Sequence, residues 1–110
     1  MTPATTLALA RAVYPLNDVQ TYETIGGGIA WKWRKEPHDT HFTVWNFNPL
    51  TNPAQTLAVL CWLMAQGFYL CDDRVSLPQS LMAGSEHHHD HDNTPQSLAA
   101  AIVKAAGAVI

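Results

Sequence analysis

The chain has 110 residues, of which 47% are apolar and 14% charged, and its formal net charge is −3. Enough apolar side chains are present to build a core, which excludes a disordered chain, and the charge lacks the basic footprint of a nucleic-acid binder. The length predicts one domain spanning 1–110, and a charge content well below the roughly 25% of average domains predicts a surface partly covered by a partner or a second copy.

The opening "MTPATTLALARAVYP" has no basic leader and carries Arg11 inside its apolar part, so no secretory signal is expected. No apolar run reaches the ~18 residues of a membrane span. The expected location is the cytoplasm, with Cys61 and Cys71 reduced. Neither belongs to a CxxC pair, and Cys61, in an apolar helical run, is expected to be a core thiol.

Three times a capping residue precedes a proline and an apolar run: Thr2-Pro3, Asn52-Pro53 and Thr94-Pro95. The capping oxygen accepts from a first-turn N–H, and proline sits where the missing N–H would have had no partner anyway. The first predicted helix runs from Pro3 to Val13 and stops before Pro15, with Leu7, Leu9, Ala10, Val13 and Tyr14 as its apolar face. "GGG" at 26–28 reads as a hinge or turn and lacks a nucleotide-loop pattern.

Two strands are predicted next. "IAWKWRK" (29–35) alternates, with Ile29, Trp31 and Trp33 on one side and Ala30, Lys32 and Arg34 on the other. "HFTVWNF" (41–47) puts Phe42, Val44 and Asn46 opposite His41, Thr43, Trp45 and Phe47. "EPHDT" (36–40) joins them as a hairpin connection.

The second helix starts at Asn52, with Gln55 completing a capping box, and stops at Gly67. Leu57, Leu60, Cys61 and Met64 form its core stripe, widened by Val59, Trp62 and Leu63, so burial on more than one side is expected. "FYLCD" (68–72) and "VSLPQSLMAGS" (75–85) are the third and fourth strands. The third helix follows Thr94, with Leu98, Ala101, Ile102 and Ala105 on one face and Gly107 as its stop. The order α-β-β-α-β-β-α predicts an α+β fold, an antiparallel sheet of about four strands with three helices packed on it.

The strongest chemical cluster is "EHHHDHD" (86–92). In an extended segment His87, His89 and His91 point one way, and His88, Asp90 and Asp92 the other. Three imidazoles with the Asp90 carboxylate form a candidate ligand set for zinc or a similar divalent metal. Metal ligands usually come from separate, braced elements, so the expectation here is a solvated connection with no resident cofactor. "WKWRK" (31–35) interleaves rings and cations, which suits base stacking and phosphate contact. Half-buried strands show the same alternation for structural reasons. Trp and Arg favour interface hot spots, so Trp31, Lys32, Trp33, Arg34, Lys35 and Trp45 are the expected partner-binding residues. Ser76, Ser80, Ser85 and Ser97 lie in no GxSxG setting, and no enzymatic activity is expected.

"FNPLTNPAQTLAVLCWLMAQGF" (47–68) and "NTPQSLAAAIVKAAGA" (93–108), together about a third of the chain, resemble the phage ABA-sandwich domain (NinX-like) family. The first is similar to that family's aromatic-x-Pro-x-Thr/Ser start of a central helix, and the second to its alanine-rich closing segment. The resemblance implies a sandwich-like fold, a phage or prophage origin and no catalytic residues. It implies a small accessory protein in the infected bacterial host, and the phage context suggests an inhibitor of a host defence complex, in the manner of anti-CRISPR proteins. The expected function is non-covalent binding to a host or phage protein, with a homodimer as the other candidate assembly and no membrane or nucleic acid. The alternatives are a metal-binding protein using 86–92 and a single-stranded nucleic-acid binder using 31–35.

Overall fold

The structure is a computed structural model and describes residues 2–70, 74–76, 88–92 and 94–110. Three helices and six strands follow in the order α1 (Pro3–Val13), β1 (Gln20–Glu23), β2 (Ile29–Trp33), β3 (Thr43–Trp45), α2 (Pro53–Ala65), β4 (Tyr69–Leu70), β5 (Arg74–Ser76), β6 (His88–Asp90) and α3 (Pro95–Val109). The fold is α+β, as the alternation of patterns predicts. The contacts gather into two compact units, Met1–Phe47 and Asn48–Ile110. Each holds a three-stranded antiparallel sheet, β1-β2-β3 in the first and β4-β5-β6 in the second. Among the described residues this replaces the expected single sheet of about four strands.

All three helix starts use the chemistry read from the sequence. Thr5 N–H donates to Thr2 Oγ1 at 3.1 Å, Gln55 N–H to Asn52 Oδ1 at 3.2 Å, and Ser97 N–H to Thr94 Oγ1 at 3.2 Å. The expected box at α2 takes a wider form. Asn52 N–H donates to the Asn48 carbonyl at 2.9 Å, and the Gln55 side-chain oxygen accepts from Asn48 N–H at 2.6 Å. The turn before α2 is thereby tied to its first residues, and Gln55 is buried among apolar side chains.

The end of α2 is equally defined. Gly67 has φ +103°, Phe68 N–H donates to Leu63 O at 3.1 Å, and Gly67 N–H to Met64 O at 3.0 Å. These are the paired bonds of a Schellman stop, with the buried side chains Phe68 and Leu63 at its two hydrophobic positions. Gly107, by contrast, does not end α3. The helix continues through it to Val109, with Ile110 N–H bonded to Ala106 O. Glycine ends a helix by taking a left-handed conformation, as Gly67 does, and Gly107 does not adopt one.

In the first unit, β1 was missed by the sequence reading because "QTYE" lacks a run of alternating apolar residues. It pairs with β2 in the register Gln20↔Lys32 to Glu23↔Ile29. The glycines make the tight return: Thr24 N–H donates to Gly28 O at 2.8 Å, Gly28 N–H returns to Thr24 Oγ1 at 3.1 Å, and Gly27 takes φ +82°. Strand β3 pairs with β2 as Trp31↔Trp45, Lys32↔Val44 and Trp33↔Thr43. In the second unit α3 packs against α2 and against β5 and β6. Its Ala99, Ala101, Ile102, Ala105 and Ala106 are buried, as are Val59, Leu63 and Val75.

Replacing Gly67 by alanine forces a Cβ into left-handed backbone and is expected to cost about 1–2 kcal/mol. Asn52→Ala is expected to cost about 1 kcal/mol. Urea unfolding at neutral pH checks both, and a Gly67→Ala variant as stable as the parent would refute the account of the α2 stop.

Candidate functional site

Alternation along β2 and β3 divides the six residues expected to bind a partner. Trp31, Trp33 and Trp45 share one face of the first sheet. Lys32 and Arg34 lie on the other, and the six do not form one patch.

The tryptophan face is a packed aromatic cluster. Trp33 and Trp45 are diagonal neighbours across the strands, and their rings stack at 4.2 Å and 9°. Trp31 meets Trp45 edge-on at 5.9 Å. Tyr14, the residue capping the end of α1, turns its ring edge-on to Trp33 at 5.4 Å and to Trp45 at 5.3 Å. Phe47 closes the group and is buried. Each well-placed ring pair contributes about 0.5–1.5 kcal/mol beyond the apolar area it covers. Burial raises the Tyr14 hydroxyl pKa, because the phenolate would lose its hydration there. Trp31, Trp33, Trp45 and Tyr14 are each half-buried and Phe47 alone of the cluster is buried, so this is a partly exposed aromatic face to which Tyr14 and Phe47 also belong.

The opposite face carries cations on rings. Lys32 Nζ lies 4.9 Å from the Phe42 ring centre and 5.6 Å from that of Tyr22, and Arg34 lies 4.8 Å from Phe42. Arg34 is also held by its surroundings. Its Nε donates to Asp18 Oδ2 at 3.3 Å, and its Nη1 donates to the Asp39 carbonyl. Its own carbonyl accepts from Asn17 Nδ2 at 2.7 Å. Asp18 takes φ +48°, a left-handed conformation that aspartate tolerates better than most residues. Lys35, just beyond the strand, is exposed.

The histidine segment is not a loop throughout. His88–Asp90 form β6 and pair with β5, with His89 opposite Val75. The expected alternation holds among the described residues: His89 and His91 are half-buried, Asp90 and Asp92 exposed. His91 Nδ1 donates to the Asp92 carbonyl at 3.0 Å, which puts the ring proton on Nδ1. Asp92 N–H donates to Ser97 Oγ at 2.8 Å and ties the strand to the start of α3. Asp90 therefore projects away from His89, and His87 lies outside the described residues. Among the described residues no three His, Cys, Asp or Glu side chains come together as a ligand set.

The second unit also carries a concave surface that the sequence pattern does not predict. A groove of about 500 Å³ runs along the first turns of α2 and α3, lined by residues that include Leu50, Leu57, Leu60, Leu98 and Ile102. None of its described lining residues is ionisable. The helical spacing predicts Leu57, Leu60, Cys61 and Met64 in the core. The structure buries the other side of the helix, Gln55, Val59 and Leu63, and leaves Leu57 60% and Met64 55% exposed. Cys61 is exposed with them and is no core thiol. Both stripes have helical spacing, so periodicity alone could not choose between them. The available signal is that α2 contains no Asp, Glu, Lys, Arg or His on either side.

The Asp18 carboxyl is held below its ordinary pKa, first by the Gln20 side-chain amide and then by hydrogen bonding to Arg34. A carboxyl depressed in the folded state stabilises the fold above its unfolded pKa and loses that contribution as pH falls through the folded value. The stability gap between the parent and Asp18→Asn is therefore expected to be small, constant near neutrality, and to shrink below about pH 4. Thermal melts across that range check it, and a gap that widens in acid would contradict the Asp18 assignment.

No family model matches the chain, and neither a curated protein nor a solved structure matches it.

Proposed function

We propose that the protein is a non-covalent protein-binding module whose contact surface is the α2–α3 groove with the outer stripe of α2. The observation that carries this reading is the exposed apolar run Leu57, Cys61 and Met64 beside the groove, on a helix without a single Asp, Glu, Lys, Arg or His. A helix apolar on two sides is normally covered on both, and a groove between two helices suits the apolar face of a third. The resemblance to phage ABA-sandwich proteins gives the biological setting: a phage or prophage accessory protein in the cytoplasm of an infected bacterium, with a host defence complex as the candidate target.

The Lys32–Phe42–Arg34 face supports a second reading, contact with single-stranded nucleic acid through rings and cations. It ranks behind the first because residues 1–47 hold four basic side chains (Arg11, Lys32, Arg34, Lys35) against four acidic ones (Asp18, Glu23, Glu36, Asp39). Phosphate binding gains its affinity from an excess of cations.

Leu57→Asp tests the first reading. The side chain is mostly in water, so stability is expected to change by no more than about 0.5 kcal/mol. Binding through the groove is expected to fall at least tenfold, the loss typical of a central interface residue. If the variant pulls down the same proteins from host lysate as the parent, in equal yield, the groove is not the contact surface.

A further inference from the structure

We propose that Lys32 and Arg34 form a binding site for a single phosphate group, carried by a small organic molecule, on the face of the first sheet opposite the tryptophans. The inference rests on the second reading above in taking these two cations as the contact groups. It replaces a strand of nucleic acid by one phosphate ester.

The strand register builds the site. Gln20, Lys32 and Val44 stand opposite one another across β1, β2 and β3 and so share a face, with Tyr22 two residues along from Gln20. Lys32 Nζ and the Arg34 guanidinium lie 4.9 and 4.8 Å from one point, the centre of the Phe42 ring. A ring attracts a cation without neutralising it. Among the described residues Lys32 has no carboxylate partner, and Asp18 pairs with Arg34 alone. Two like charges held this near repel each other, and an anion between them relieves the repulsion.

The donors left over select the anion. Arg34 Nε donates to Asp18 and Nη1 to the Asp39 carbonyl, which spends the paired edge by which arginine grips a planar carboxylate. The remaining N–H groups sit on Arg34 Nη2 and on the Lys32 ammonium, two separate side chains. A tetrahedral phosphate accepts from separate directions, and lysine meets it as a point charge. Charge limits the site to one phosphate: residues 1–47 have no excess of cations, and Lys35 lies over neither ring. Beside the cations, Val44 is 80% and Tyr22 40% exposed, which gives the organic part of an ester an apolar surface to rest on.

The test follows the NMR signals of the full chain at low salt during titration with inorganic phosphate, adenosine monophosphate, a short oligodeoxynucleotide and a glutamate-rich peptide. Phosphate and the monophosphate are expected to shift the Lys32 and Arg34 signals. The monophosphate should bind more tightly and also shift Tyr22 and Val44. The further phosphates of the oligonucleotide should gain less than about threefold, because no further cations await them. Lys32→Gln should weaken the monophosphate at least about tenfold, the worth of one hydrogen bond to a charged group. Lys32→Arg should retain it, and Lys35→Gln should leave it unchanged. Equal binding by parent and Lys32→Gln, or monophosphate binding that leaves the Lys32 and Arg34 signals in place, overturns the site. Inorganic phosphate bound as tightly as the monophosphate overturns the organic ligand. A glutamate-rich peptide that binds these signals more tightly overturns the phosphate in favour of an acidic protein partner. Binding of the oligonucleotide alone overturns the single phosphate and leaves the strand reading in place, and binding of none of the four removes both. The titrations of the parent decide these outcomes even if a Lys32 variant fails to fold.

Discussion

Helix α2 has apolar side chains on two sides and no charge with which to face water. Its inner side, Val59 and Leu63 with the buried amide of Gln55, packs in the core of the second unit alongside Ile102 and the buried alanines of α3. Burying one apolar side chain of this size contributes about 1.5–3 kcal/mol, and leaving one in water forgoes it. The groove opens between the early turns of the two helices, where Leu57 and Leu60 on α2 and Leu98, Ala99 and Ile102 on α3 form its walls.

The first unit shows a different division of labour. Its sheet sorts residues by strict alternation, with rings that pack on one side and rings that carry cations on the other. The stacked Trp33 and Trp45 can approach to 4.2 Å because the β2–β3 register sets them on a diagonal. Lys32 and Arg34 set their charged ends over the Phe42 ring, at 4.9 and 4.8 Å. One short sequence therefore serves two faces, and a contact patch drawn from neighbours in sequence joins residues that the sheet separates.

The elements whose reasons are local were the ones legible in the sequence. The three helix starts depend on a few adjacent residues each, and the glycine stop of α2 on a single φ angle. The strand sides at 29–33 and 43–45 follow from period-two alternation. What was not legible depends on distant partners. The two stripes of α2 have equal periodicity, and only the packing of α3 decides which is inside. Strand β1 pairs with β2, and although Thr21 and Tyr22 favour strands, its four residues carry no apolar alternation to announce it. The histidine segment becomes strand β6 through pairing with β5. Gly107 shows the reverse error, a strong local signal for an ending in a place where the chain has no cause to turn.

The two ends of α2 have a consequence for how the groove can vary. The Asn52 cap and the Gly67 stop fix where the helix begins and ends, so its rotation about its own axis is set by the count of residues between them. One added residue turns everything after it by about 100°. An insertion early in the helix would carry Val59 and Leu63 out of the core and swing Ala58 and Trp62 into their places. Substitution along the outer stripe has no such effect. The surface is therefore open to change in chemistry while closed to change in length. Related chains with different partners would be expected to keep the thirteen-residue length of the helix and vary the side chains at positions 57, 61 and 64.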